Sequence, residues 1–247
     1  MLEQFDADSG LLLGERIEKL VIERYKHKVE PLLKGSPLKV GSLRDAPYPQ
    51  PRGGGIIYGR TDGISTTIYV RKRLRRAQRE HNFAHELMHL EMDLRGHFPR
   101  SSEFAGWHKL VWQAVCEGYI DGTLAREGFF PGLNILSIKE TAHIREVVHS
   151  GIVKDVPASE RTLIYIQNRL RFPGELSRSL IEIYQSALPQ SFEFGESVVA
   201  CLESMDLREP DVQIQAIRFV IERVNAAIPP GNEMSDTIID ERLYFEE

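Results

Sequence analysis

Apolar and polar positions along the chain fall into a series of helical repeats broken by one short stretch of strand-like pattern. Between residues 12 and 34, Leu13, Ile17, Leu20, Val21, Ile22 and Tyr25 recur near a helical period, with Glu15, Arg16, Glu18, Lys19, Glu23 and Arg24 between them. That spacing predicts an amphipathic helix, stopped by Gly35-Ser36-Pro37. Residues 43–55 hold Pro47, Pro49, Pro51 and Gly53 to Gly55, the composition of a loop. Two strand patterns come next, from Ile56 to Arg60 and from Ser65 to Val70, joined through Thr61-Asp62-Gly63, where Asp-Gly is a hairpin signal. A helix is then expected over 75–95, ending at Gly96, and another over 104–126. Beyond Gly128 and Pro131 the pattern is helical in segments 135–149, 158–171, 175–187, 194–206 and 211–227, divided by Pro157, Pro173, Pro189, Pro210 and Pro229-Pro230.

One segment is apolar on most sides: Asn82-Phe-Ala-His-Glu-Leu-Met-His-Leu90. A helix of that kind is buried, and buried histidines and glutamates need partners or a metal. Within it His85-Glu86-Leu87-Met88-His89 reads H-E-x-x-H. Histidines four residues apart share a helix face and can hold one zinc ion. Glu86 sits about 100° round the helix from His85, so it can face a water on that ion without ligating the ion. The alternative is a surface helix with two solvated histidines, which the apolar neighbours argue against.

Catalytic zinc usually has three protein ligands and one open position. Met92 and Arg95 stand where the extended metzincin motif needs glycine and histidine, so that form is excluded. Asp93, His97, Glu103, His108 and Glu117 remain as third ligands. Glu117 is favoured because it lies in the mostly apolar stretch Val115-Cys-Glu-Gly-Tyr-Ile-Asp121, with Asp121 one turn on to orient a ligating histidine. His108 is the runner-up. It is two and a half turns before Glu117 and faces roughly the opposite side of a continuous helix.

His85-Glu86-x-x-His89 followed by Glu117-x-x-x-Asp121 resembles the gluzincin class of zinc metallopeptidases, over roughly residues 55–125. Among them it is similar to compact minigluzincins and to ImmA/IrrE-type peptidases. The resemblance implies zinc, one per chain, on His85, His89 and Glu117, with Glu86 as general base. It assigns Asp121 to the second nitrogen of a ligand, His85 rather than His89. By residue type alone, the candidates for oxyanion stabiliser are Tyr119, His108, His143 and His149. The strand from Ser65 to Val70, taken as a sheet edge, is expected to accept an extended substrate by strand addition.

The expected fold class is α+β: mostly helical, with a small mixed sheet packed on the H-E-x-x-H helix and the glutamate helix, and a helical C-terminal half. The expected domains are a zincin-like metallopeptidase domain over 1–150 and an all-helical domain or extension over 151–247. The net charge of −5 provides no global attraction to nucleic acid. The basic run from Arg71 to Arg76 lacks the interleaved aromatics of a base-stacking surface and reads as a solvated start to the motif helix. Cys116 and Cys201 are too few for a disulfide scaffold, and both read as small buried apolar residues. With no secretory signal and no membrane-length apolar run, a cytoplasmic protein is expected. The leading reading is a zinc-dependent peptidase acting on proteins or peptides, with the C-terminal helices available to a protein partner. Two alternatives stand beside it: a non-catalytic zinc-binding regulatory or interaction module, and a zinc hydrolase of non-peptide amides.

Overall fold

A computed structural model describes residues 2–4, 38–42, 57–61, 65–70, 76–95, 106–128, 130–154 and 156–227. The helix expected over 12–34, the loop over 43–55, Arg71 to Arg75, His97, Glu103 and the acidic C-terminus lie outside the described residues. The chain folds as two compact units, Met1–His97 with Phe129–Gly132, and Phe98–Gly128 with Leu133–Glu247.

In the first unit, strands β1 (Leu2–Gln4), β2 (Leu38–Ser42), β3 (Ile57–Thr61) and β4 (Ser65–Val70) pair in the order β1-β2-β4-β3. β2 and β4 are parallel, with Val40 opposite Ile68. The other two pairings are antiparallel, and Thr61 stands opposite Ser65. β4 therefore has a neighbour on each side. Its peptide groups are engaged by β2 and β3, so the expectation that Ser65 to Val70 is a free edge for substrate is corrected. Helix α1 spans Arg76–Arg95. Phe83, Ala84, Leu87, Met88, Leu90 and Met92 are all buried on it, as an all-round apolar helix requires. In its last turn Arg95 bonds Glu91 at 2.9 Å, placing a cation at the negative end of the helix dipole.

In the second unit, α2 (Gly106–Trp112), a π-helical segment (Gln113–Glu117) and α3 (Gly118–Arg126) succeed one another directly. The helix expected over 104–126 thus contains a change of winding. α4 (Phe130–His149), α5 (Ala158–Arg171), α6 (Arg178–Ala187), α7 (Pro189–Glu203) and α8 (Pro210–Ala227) complete the described helices. Pro189 and Pro210 are each the first residue of a helix, where a missing N–H costs nothing and the fixed φ suits the first turn. That is why α7 begins five residues before its expected start at 194.

The main core of this unit joins Val111 and Val115 to Leu163 and Ile166 of α5, Val198 of α7 and Val220 of α8. A smaller cluster gathers Ile144, Leu180, Tyr184 and Leu188 around Tyr165. The first core unites helices from before and after residue 150, so the boundary expected at 150/151 would cut through it. α5 has buried residues in both clusters and is the helix on which the unit is assembled.

Glycines set how closely α5 is approached. A Cβ at Gly118 would sit 3.0 Å from the Cβ of Leu170 and 3.2 Å from the carbonyl oxygen of Gln167. One at Gly122 would overlap the carbonyl oxygen of Leu170, which is backbone and cannot swing aside. Gly195 of α7 likewise lies against the ring of Tyr165. Beside it, Glu196 accepts hydrogen bonds from the Tyr165 hydroxyl (2.6 Å) and from Arg169 Nε (2.7 Å). Burial, Glu196 and its charge push the Tyr165 phenol upward, while burial of Glu196 is outweighed by its two donors, which hold its carboxyl below the ordinary value.

The α+β class is corrected. Beyond residue 80 the described residues are 88% helical and contain no strand and no sheet, so the described chain is mainly helical. Strands of three to six residues place only one to three side chains on each face, and the buried apolar residues described all lie on or between helices. No helix among the described residues is long and apolar enough to cross a membrane.

Replacing Gly122 by alanine forces α3 and α5 apart at a backbone contact. Urea unfolding of Gly122→Ala is expected to show a loss of about 1–3 kcal/mol, the usual cost of overpacking. A fully tolerated alanine would refute the close approach.

Candidate metal centre

Four residues per step on an α-helix brings side chains to nearly the same face. On α1 this ladder is His81, His85 and His89. His85 and His89 are partly buried and present Nε2 atoms to each other at 3.1 Å, with ring centroids 4.8 Å apart at 72°. Two nitrogens on one tetrahedral zinc at about 2.0–2.1 Å would lie about 3.3 Å apart, so the pair is already near chelating separation. His81 is buried and its ring lies 5.9 Å from that of His85. Glu86, next to His85, is partly buried.

A second four-residue step is Glu117 to Asp121. Glu117 closes the π-helical segment, in which Gly118 N–H bonds back to the carbonyl of Gln113, five residues earlier. Each π turn takes in an extra residue, so Glu117 and the residues of α3 are rotated relative to α2 by about the angle of one residue, 100°. Segments of this kind recur at functional sites. Asp121 is 0% exposed, and its Oδ2 forms a hydrogen-bonded ion pair with Nε of Arg171 from α5. Burial works against the Arg171 charge. The charges of Asp121, Glu117 and Glu140 more than offset it and hold the guanidinium above its ordinary value.

The described residues include His, Asp and Glu side chains that could hold a metal ion. Imidazoles are donors that zinc takes, and the spacing of His85 and His89 on α1 fits such an ion.

Of the sequence-derived set, His85 and His89 are brought together on α1, and Glu117 and Asp121 stand one turn apart in the second unit. His108 is buried and stacked on Trp107 at 4.1 Å. The Tyr119 hydroxyl accepts from Arg208 Nε at 3.3 Å. His143 and His149 are exposed on α4, and His149 Nδ1 lies 2.7 Å from the carbonyl oxygen of Arg145. Sequence reasoning missed two residues. His81 could have been found by extending the four-residue step backwards from His85. Arg171, fifty residues from its partner, carries no local signal.

Cys116 is buried, and its Sγ donates to Gln213 Oε1 at 3.2 Å. Gln213 in turn donates to the carbonyl oxygen of Leu207 at 3.2 Å. Burial, and then the charge of Glu117, push the Cys116 thiol up. Cys201 is exposed, which corrects the expectation of a buried residue.

Comparison of the chain with family models, with curated proteins and with solved structures finds no match.

Titration with Ellman's reagent is expected to show one thiol, Cys201, reacting fast in the folded protein and Cys116 reacting only on unfolding. Two equally fast thiols would contradict the buried Cys116–Gln213 contact.

Proposed function

We propose that the chain is a zinc-dependent hydrolase of peptide bonds, acting on protein or peptide substrates. His85, His89 and Glu117 hold one zinc ion, and Asp121 orients His85. The observation that carries this reading is the pair of H-E-x-x-H histidines, whose Nε2 atoms face each other at 3.1 Å on one helix.

When bound, the ion supplies a polarised substrate carbonyl and a more acidic water. The remaining chemistry belongs to the chain. Glu86 takes a proton from the attacking water and returns it to the departing amine as the C–N bond breaks. It is suited to this because it neighbours His85 in sequence and lies about 100° round α1 from it. A site that only held metal for structure would have no use for such a base.

The test pairs metal content with hydrolysis of a complex peptide mixture followed by mass spectrometry. Wild type is expected to carry about one zinc, and Glu117→Ala much less. Glu86→Gln should keep its zinc and lose activity by about 10²–10⁴-fold, the usual contribution of a positioned general base. Undiminished cleavage by Glu86→Gln sinks the base assignment. A folded wild type that takes up no zinc sinks the whole reading.

A further inference from the structure

The π-helical segment has no local cause. Gln113-Ala-Val-Cys-Glu117 contains no proline and no glycine. Trp112, Glu117 and Gly118 all keep right-handed helical dihedrals, with φ of −56°, −67° and −60°. Nothing in those residues forbids an ordinary α turn, by far the commoner winding. The extra residue is therefore held by what the segment touches.

The helices on either side are fixed by contacts of their own. Trp107 and Val111 of α2 belong to the main core. Gly118 and Gly122 of α3 lie against Leu170, and Asp121 is paired with Arg171. Losing the extra residue would turn one of these helices about 100° against the other, which the contacts on both sides oppose. Moving it along the chain is a smaller change. A shift in either direction leaves α2 and α3 in place and re-aims only the side chains of the segment, Cys116 and Glu117 among them, by up to about 100°.

One contact marks where the wide turn sits. Cys116 Sγ donates to Gln213 Oε1 at 3.2 Å, and Gln213 Nε2 donates to the carbonyl oxygen of Leu207 at 3.2 Å. Both residues are buried, so neither can exchange its partner for water. A buried amide oxygen that lost the thiol would pay for its desolvation without return. Burial also keeps the thiol protonated, and so able to donate.

We infer that Gln213 of α8 is a latch: by engaging Cys116 it fixes the position of the extra residue in the helix, and with it the direction of the next side chain, Glu117. The device lies wholly within the second unit. It goes beyond the zinc reading and does not depend on Glu117 being a ligand.

The test is nuclear magnetic resonance of the full chain, following the coupling through the hydrogen bond from the Gly118 amide to its acceptor carbonyl. In wild type the coupling should reach Gln113. In Gln213→Leu and in Cys116→Ala it should be lost. The amides of residues 114–118 should then exchange with solvent at least about tenfold faster, as expected of a local opening, while those of Leu163 and Ile166 in α5 keep their rates. Cys116→Ser, which retains a donor, should keep the coupling. In a Cys201→Ser background, the S–H stretching band of Cys116 should lie below that of an unbonded thiol and rise in Gln213→Leu. A folded Gln213→Leu or Cys116→Ala that keeps the Gln113 coupling and its slow exchange overturns the latch. So does faster exchange spread equally through α5, which would mark a general loss of stability. If Gln213→Leu does not fold, Cys116→Ala decides alone. A wild-type Gly118 amide coupled to Ala114 overturns the π winding itself and the inference with it.

Discussion

A carboxylate that water cannot reach has to be matched by the protein, because an isolated ion in a low-dielectric interior is costly. Asp121 is in that position, and Arg171 matches it. Much of the second unit is arranged to bring these two groups together. α5 has to end where Asp121 is, which needs α3 and α5 closer than ordinary side chains permit. Gly118 and Gly122 remove the side chains that would prevent it. The rest of α5 then lies along the core, with Leu163 and Ile166 on one side and Tyr165 on the other. Removing one partner from a buried pair generally costs on the order of 3–5 kcal/mol, so the pairing and the packing constrain each other.

The chemistry of the candidate centre uses the same economy of spacing twice. A step of four residues lines up His81, His85 and His89, and another lines up Glu117 and Asp121. Repetition of this kind creates ambiguity, since neighbouring turns present equivalent ligands. The π-helical segment and the arginine are the two features that break the equivalence. The first changes the rotation of Glu117 relative to the residues before it. The second occupies one acid of the pair. Neither feature is a candidate ligand, yet each sets the surroundings of one acid.

Polar groups elsewhere in the unit are engaged in holding helices rather than in chemistry. Cys116 bonds Gln213 and so ties the π-helical segment to α8. Tyr165 and Arg169 converge on Glu196 and tie α5 to α7. Tyr119 is bonded to Arg208, and His108 is stacked in the core on Trp107. Of these, Tyr119 and His108 were chemical candidates by residue type; His108 stacks on its neighbour in its own helix.

The sequence by itself determined what depends on near neighbours along the chain. Apolar periodicity marked the motif helix to within a residue of Arg76–Arg95, and prolines marked the later helices. The four-residue spacing of His85 and His89 dictated that their nitrogens would meet, because an α-helix has a fixed pitch. Glu117 and Asp121 were legible for the same reason, as acids in an apolar helical stretch. Tertiary structure alone decided the rest. The class as mainly helical, the interior position of β4, the core shared across residue 150 and the exposure of Cys201 depend on which surfaces pack together. The π-helical winding before Glu117 has no pattern that marks it in the residues, and Arg171 reaches Asp121 across fifty positions. Periodicity reports the direction a side chain takes from its own helix. It does not report what another helix brings to meet it.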